Sequence, residues 1–218
     1  MKNKRKLTEE AGEKGGSSCR SAEARLAAVA AEARACVLCR DVLPLGARPA
    51  FQLHAAARIL IVGQAPGTKV HASGRPFTDP SGDRLRDWLG VTKAEFYDSR
   101  RFAILPAGLC YPGVLPRGGD RPPDPRCAPR WRPRIVSLLG EVRLVVPVGQ
   151  YGHAVTLGRA RERSVTATVA AWRRYLPDVL PAPHPSWRVN GWLKRNPWFE
   201  AEVLPELRRR VRDALSDA

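Results

Sequence analysis

Residues 58–67 read Arg-Ile-Leu-Ile-Val-Gly-Gln-Ala-Pro-Gly. A short apolar run closed by glycine describes a buried strand of a parallel sheet that opens into a ligand-facing loop. Further strands are predicted outward from it at Phe102 to Leu105, at Leu144 to Val148 ahead of Gly149, and, more weakly, at Val179 to Ala182. Helical patterns separate them. An Ala-rich stretch capped by Ser21 puts Leu26, Val29, Ala30 and Ala33 on one face and ends at Cys36 and Cys39. Ser81 is expected to cap a helix over Gly82 to Leu89 that Gly90 stops, and Thr92 with Glu95 makes a capping-box pattern. Another helical segment is expected around Thr168 to Leu176. Phe199, Val203, Leu207, Val211 and Leu215 recur every fourth position, an amphipathic helix that Pro205 is expected to kink. Alternating strands and helices specify a three-layer α/β/α sandwich around a four-stranded, mainly parallel sheet. The Pro- and Gly-rich stretch Tyr111 to Pro129 is expected to be a long irregular loop, and loops of that length are usually functional.

Composition bounds the partners. The chain has 218 residues, suited to one domain, with 37 Lys and Arg against 21 Asp and Glu, a net charge of +16. Such an excess calls for a polyanion rather than a small acidic metabolite. Residues 1–20 have no apolar period and are read as a disordered basic tail, with residues 21–218 as the domain. The tail accounts for +3 of the charge, so +13 belongs to the folded part. No run of eighteen apolar residues occurs and the first residues have no apolar signal segment, so no membrane partner is expected, and the expected location is cytoplasmic and nucleoid-associated. A reducing compartment disfavours disulfides, and the spacing of the cysteines asks for a metal. Cys36-x2-Cys39, Cys110 and Cys127 supply four thiolates, enough for tetrahedral zinc or a [4Fe-4S] cube, while Cys19 falls in the tail.

Three segments fall at the carboxyl ends of predicted strands, where open α/β sheets hold their ligands. They are Gly63-Gln64-Ala65-Pro66-Gly67 with Gly74-Arg75-Pro76-Phe77, the stretch Pro106 to Cys110, and His184-Pro185-Ser186. This ordered set resembles the uracil-DNA glycosylase superfamily, most closely its iron-sulfur-containing bacterial and archaeal branch. The similarity covers roughly residues 21–215. It implies a DNA glycosylase of base-excision repair, a monomer that hydrolyses the N-glycosidic bond of uracil in DNA and leaves an abasic site. It also implies that Cys36, Cys39, Cys110 and Cys127 hold a structural [4Fe-4S] cluster, zinc being the alternative.

The implied roles follow the chemistry. Bond cleavage leaves positive charge on the sugar and negative charge on the departing base, and the nucleotide must leave the stack. His184 is expected to donate to the base, Phe77 to stack on it, the 63–67 backbone to assist, and Ser186 and Ser81 to meet phosphate. Trp187, Arg188, Lys194 and Arg195 are the expected DNA contacts. Two positions depart from the family pattern. Gln64 stands where the branch usually has a glutamate, and an amide is no base. Asp79 is therefore the expected catalytic carboxylate, with Asp83 and His71 as competitors. Pro106 stands where an asparagine usually reads the base, which opens the site to other deaminated bases. Both departures also suit a catalytically inactive DNA-binding member of the fold.

Overall fold

The computed structural model describes residues 21–116 and 118–216, so the tail expected over residues 1–20 lies outside the described residues. Three strands, β1 (Ile59–Val62), β2 (Phe102–Ile104) and β3 (Leu144–Pro147), form a parallel sheet in the order β2-β1-β3. The helices are α1 (21–34), α2 (Thr68–Ser73), α3 (Pro80–Leu89), α4 (Lys93–Tyr97), α5 (Cys127–Val136), α6 (Gly149–Leu157), α7 (Val165–Ala170), α8 (Val189–Arg195) and α9 (Leu204–Leu215).

Strand side chains alternate between faces, and each face has its own core. Ile59 and Ile61 join Phe102, Ile104, Leu144 and Val146 under α3 and α9, which contribute Leu85, Trp88, Leu89, Leu207 and Val211. Leu60, Val62 and Ala103 face the other way, against Leu26, Ala30 and Ala33 of α1 and Trp131 and Ile135 of α5. Each fully buried Leu, Val or Phe contributes roughly 1.5–3 kcal/mol by leaving water. The three layers are those the strand and helix pattern predicts.

The sheet has three strands, not four. Residues 178–182 do run beside β3: Val145 N donates to Asp178 O at 2.8 Å, and Leu180 N donates to Val145 O at 3.0 Å. The next rung would need an N–H at Pro147, which has none. Pairing resumes only where Ala182 N meets Pro147 O and Gly149 N meets Ala182 O, each at 3.0 Å, so the segment is reduced to two isolated bridges.

Other local expectations also change. Asp79, not Ser81, caps α3: its Oδ1 accepts from Gly82 N at 3.3 Å, and the helix begins at Pro80. Pro at the first helical position gives up only an N–H that would be unpaired anyway, which moves the start ahead of Ser81. The capping box of Thr92 and Glu95 forms as predicted. The expected helix at 168–176 is α7 followed by a 3-10 turn at Trp172–Tyr175. Pro205 does not kink a long helix. A π-helical turn over Phe199–Val203 runs into α9, and Pro205 sits in the first turn of α9. With β1 central and its neighbours reached in opposite directions, the crevice at the carboxyl ends of the strands is where this sheet opens.

Candidate active site

The loop leaving β1 is fastened to the loop leaving β2. Leu105 N donates to Ile61 O (3.0 Å), Ala107 N to Gly63 O (3.0 Å) and Gly108 N to Gln64 O (2.9 Å). Between them Pro106 presents a ring with no polar side-chain atom. The 182–186 segment arrives from the far side of β3. The three loops enclose a cleft of about 650 Å³, open mouth included. It is lined by residues 63–67 and by Phe77, Asp79, Ser81, Pro106, Asp120, His184 and Ser186. Asp79, His184, Phe77, Ser186 and the 63–67 loop are therefore gathered in one place.

Phe77 is held in a left-handed backbone conformation, φ 56°, which non-glycine residues seldom adopt. Its carbonyl accepts from Tyr97 Oη at 2.8 Å and from Arg86 Nη1 at 3.2 Å. Arg86 is in turn paired with Asp83 at 2.6 Å. Gly82 passes directly under that carbonyl, where a Cβ would lie 1.8 Å from the oxygen. The ring packs edge-on to Phe96 at 6.1 Å and stands over Gly63, whose Cβ would come within 3.4 Å of it. A strained residue fixed from several sides at a cleft wall is a functional signal.

His184 is also fixed from several sides. Gly149, at φ 75°, lets the chain pass beside it, since a Cβ there would be 2.9 Å from His184 Cβ. Ser186 N donates to His184 Nδ1 at 3.3 Å, and Arg84 Nη1 of α3 donates to Ser186 O at 2.8 Å. With Nδ1 accepting, the neutral ring carries its proton on Nε2. Burial pushes the imidazole pKa below its ordinary value, opposed by the negative charges of Asp79 and Asp120 and aided by Arg188. A neutral ring is thus favoured near pH 7.

Of the two acids weighed at the start of α3, Asp79 lines the cleft, whereas Asp83 is turned to Arg86. One Asp79 oxygen caps the helix, and the other makes no hydrogen bond among the described residues. Gln64 turns its amide away to donate to Arg121 O at 3.0 Å. His71 does not line the cleft and lies tilted against Tyr111, ring centres 6.1 Å apart. Asp120, on the loop expected to be irregular, is an acidic cleft residue that the motifs did not reveal. Arg84, Arg86 and Tyr97 are supporting residues of the same kind, and no local signal marks them.

Of the DNA-contact candidates Ser81 lines the cleft, while Trp187, Arg188, Lys194 and Arg195 lie outside it. Trp187 is 74% exposed, with the Arg188 guanidinium 5.4 Å from its ring centre. Lys194 and Arg195 are exposed at the last turn of α8, where their charge also complements the helix dipole. Trp192 packs inward, donating to Thr166 Oγ1 at 2.8 Å and meeting Trp198 and Phe199 edge-on.

Cys36, Cys39, Cys110 and Cys127 line a second pocket of about 400 Å³, beneath the loop that carries Gly108. Trp131 Nε1 donates to Cys36 Sγ and Leu109 N to Cys127 Sγ, each at 3.3 Å. Burial pushes the thiols of Cys39, Cys110 and Cys127 up to about 11. Among the described residues no three His, Cys, Asp or Glu side chains close on a single ion position. Four thiols around one pocket with N–H donors aimed at sulfur nonetheless fit a thiolate-bound group, whose positive charge would displace those protons.

Among the described residues no helix is long and apolar enough to cross a membrane. A family model described as the Uracil DNA glycosylase superfamily matches residues 51–208, which include β1, the whole cleft and the start of α9.

Proposed function

Since the chain belongs to the uracil DNA glycosylase superfamily, we propose that it hydrolyses the N-glycosidic bond of uracil in DNA and leaves an abasic site, other deaminated bases being accepted as well. The observation carrying this reading is that one cleft brings together a carboxylate, Asp79, a stacking ring, Phe77, and a histidine whose proton sits on Nε2. The flipped base stacks on Phe77, a contact of about 1–3 kcal/mol. As the glycosidic bond breaks, its electron pair moves onto the base. His184 Nε2–H donates to the base oxygen on which that charge collects, and such a donor is worth about 10²–10³ in rate. Asp79 sets negative charge beside the sugar as it becomes cationic and orients the attacking water. Pro106 offers the base no side-chain hydrogen bond, so recognition falls to the loop backbone, which supports a broader range of deaminated bases.

Trp187 enters the stack that the nucleotide leaves, and Arg188, Lys194, Arg195 and Ser81 meet phosphates. Cys36, Cys39, Cys110 and Cys127 would hold a [4Fe-4S] cluster, with zinc as the alternative. That group would supply no step of the hydrolysis and would brace the 105–112 loop of the cleft. The protein acts as a monomer at the nucleoid. Incubation with a uracil-containing oligonucleotide followed by alkali tests the reading: strand cleavage at uracil is expected, and intact single- and double-stranded substrates would overturn it. Asp79→Asn keeps the helix cap, because Asn caps as well as Asp, so its expected loss of rate reports the charge alone.

A further inference from the structure

Residues 113–116 and 118–121, within the segment that the sequence presented only as a Pro- and Gly-rich loop, form the two arms of a hairpin at the mouth of the cleft. Val114 pairs antiparallel with Asp120, Leu115 N donates to Gly119 O at 2.7 Å, and Arg121 N donates to Gly113 O at 2.9 Å. Gln64 fastens the hairpin to the β1 loop through its 3.0 Å bond to Arg121 O. On the other side Gly119 meets the His184 loop, where a Cβ would lie 3.5 Å from Arg188 Nη1. The residue between these two attachments is Asp120. It lines the same cleft as Asp79 and His184, and its carboxylate has no hydrogen-bond or ion-pair partner among the described residues.

We propose that Asp120 is a second catalytic carboxylate, the base that takes the proton of the attacking water, and that Gln64 is a positioning residue that holds its hairpin at the cleft. This rests on the glycosylase reading above. An acidic side chain that lines a cleft of a basic protein has a use where a cation develops. Asp79 spends one oxygen on capping α3, whereas among the described residues neither Asp120 oxygen is committed to a hydrogen bond. The step balances without any further reagent. Water oxygen bonds to the sugar C1′, one water proton passes to Asp120, and the C1′–N bond breaks with its electrons on the base. The base anion leaves on His184 Nε2–H and takes its proton from solvent. The amide at Gln64, unable to act as a base itself, delivers one from the neighbouring loop.

Two duplexes that cannot be hydrolysed test the placement, one with a cationic pyrrolidine abasic analogue and one with a neutral tetrahydrofuran analogue. The full chain is expected to prefer the cationic duplex. Asp120→Asn is expected to cut that preference about tenfold, the scale of one nearby charge, with the neutral duplex bound within about twofold of wild type. Gln64→Ala is expected to reduce the preference in the same direction, to a smaller extent. On uracil DNA, Asp120→Asn is expected to slow single-turnover release about 10²-fold or more. An Asp120→Asn protein that keeps both the preference and the rate overturns the proposal. The two readings fail separately: a wild type that releases no uracil sinks the glycosylase reading, while the binding preference alone still decides whether Asp120 faces the sugar.

Discussion

Arg84 and Ser186 lie 102 positions apart in the chain and are joined by a 2.8 Å bond from the guanidinium Nη1 to the carbonyl oxygen. The bond ties α3, capped by Asp79, to the loop that carries His184, and Ser186 passes the restraint on through its own N–H to His184 Nδ1. Carboxylate and imidazole are thereby placed by one connected unit rather than by two independent loops.

Arg84→Ala is therefore expected to lower single-turnover uracil release about tenfold with little change in DNA affinity, since the loss falls on the aim of His184. Arg84→Lys, which keeps a donor, should recover part of it. Nitrogen-15 NMR of His184 gives the readout that a merely structural role would not move: loss of a single Nε2–H tautomer in Arg84→Ala.

The acid limb of stability follows from the buried histidines. His184 and His153 are both held below the ordinary histidine value, burial being the largest cause, so the unfolded chain binds their protons first as pH falls. Their contribution is complete above about pH 6.5 and is lost as pH falls through the folded values. Denaturant unfolding at pH 7.5 and pH 5 should show a smaller drop for the His153→Gln, His184→Gln double variant than for wild type.

Phe77 and Gly82 should separate binding from folding. Phe77→Ala removes a stacking ring worth about 1–3 kcal/mol and should weaken substrate binding while Tm changes little. Gly82→Ala puts a methyl 1.8 Å from Phe77 O, so it should lower both Tm and activity by displacing the loop.

The cysteine pocket predicts a colour. Protein purified without oxygen should be brown with about four irons per chain, and Cys127→Ser should bleach it and lower Tm. Stoichiometric zinc in a colourless protein would assign the pocket to the alternative metal.

Lys194 and Arg195 report on DNA through salt. Replacing both with alanine should flatten the plot of log K against log salt by about 1.8, two phosphates at about 0.9 each. Trp187→Ala should weaken duplex binding with the slope unchanged.

Much of the architecture was legible because its signals are local. The apolar run 59–62, the box at Thr92 and Glu95, and the four-residue period from Phe199 to Val211 each rest on neighbours a few positions away, and each forms. The edge strand failed for a reason outside its own sequence. Residues 179–182 were read by themselves, while the missing N–H belongs to Pro147 on the adjacent strand. Ser81 was read as the cap of α3, but Pro80 takes the first helical position and passes that role to Asp79.

By itself the sequence determined the α/β layering, the order of the motifs along the chain, the basic surplus and the four cysteines, all properties of composition and short-range pattern. Only the tertiary structure decided that Gln64 points to Arg121 O, that Asp120 enters the cleft, and that Arg84 holds the His184 loop. Those contacts join residues distant in the chain whose side chains have no periodicity to betray them. Their meeting depends on how a three-stranded parallel sheet gathers its carboxyl-end loops.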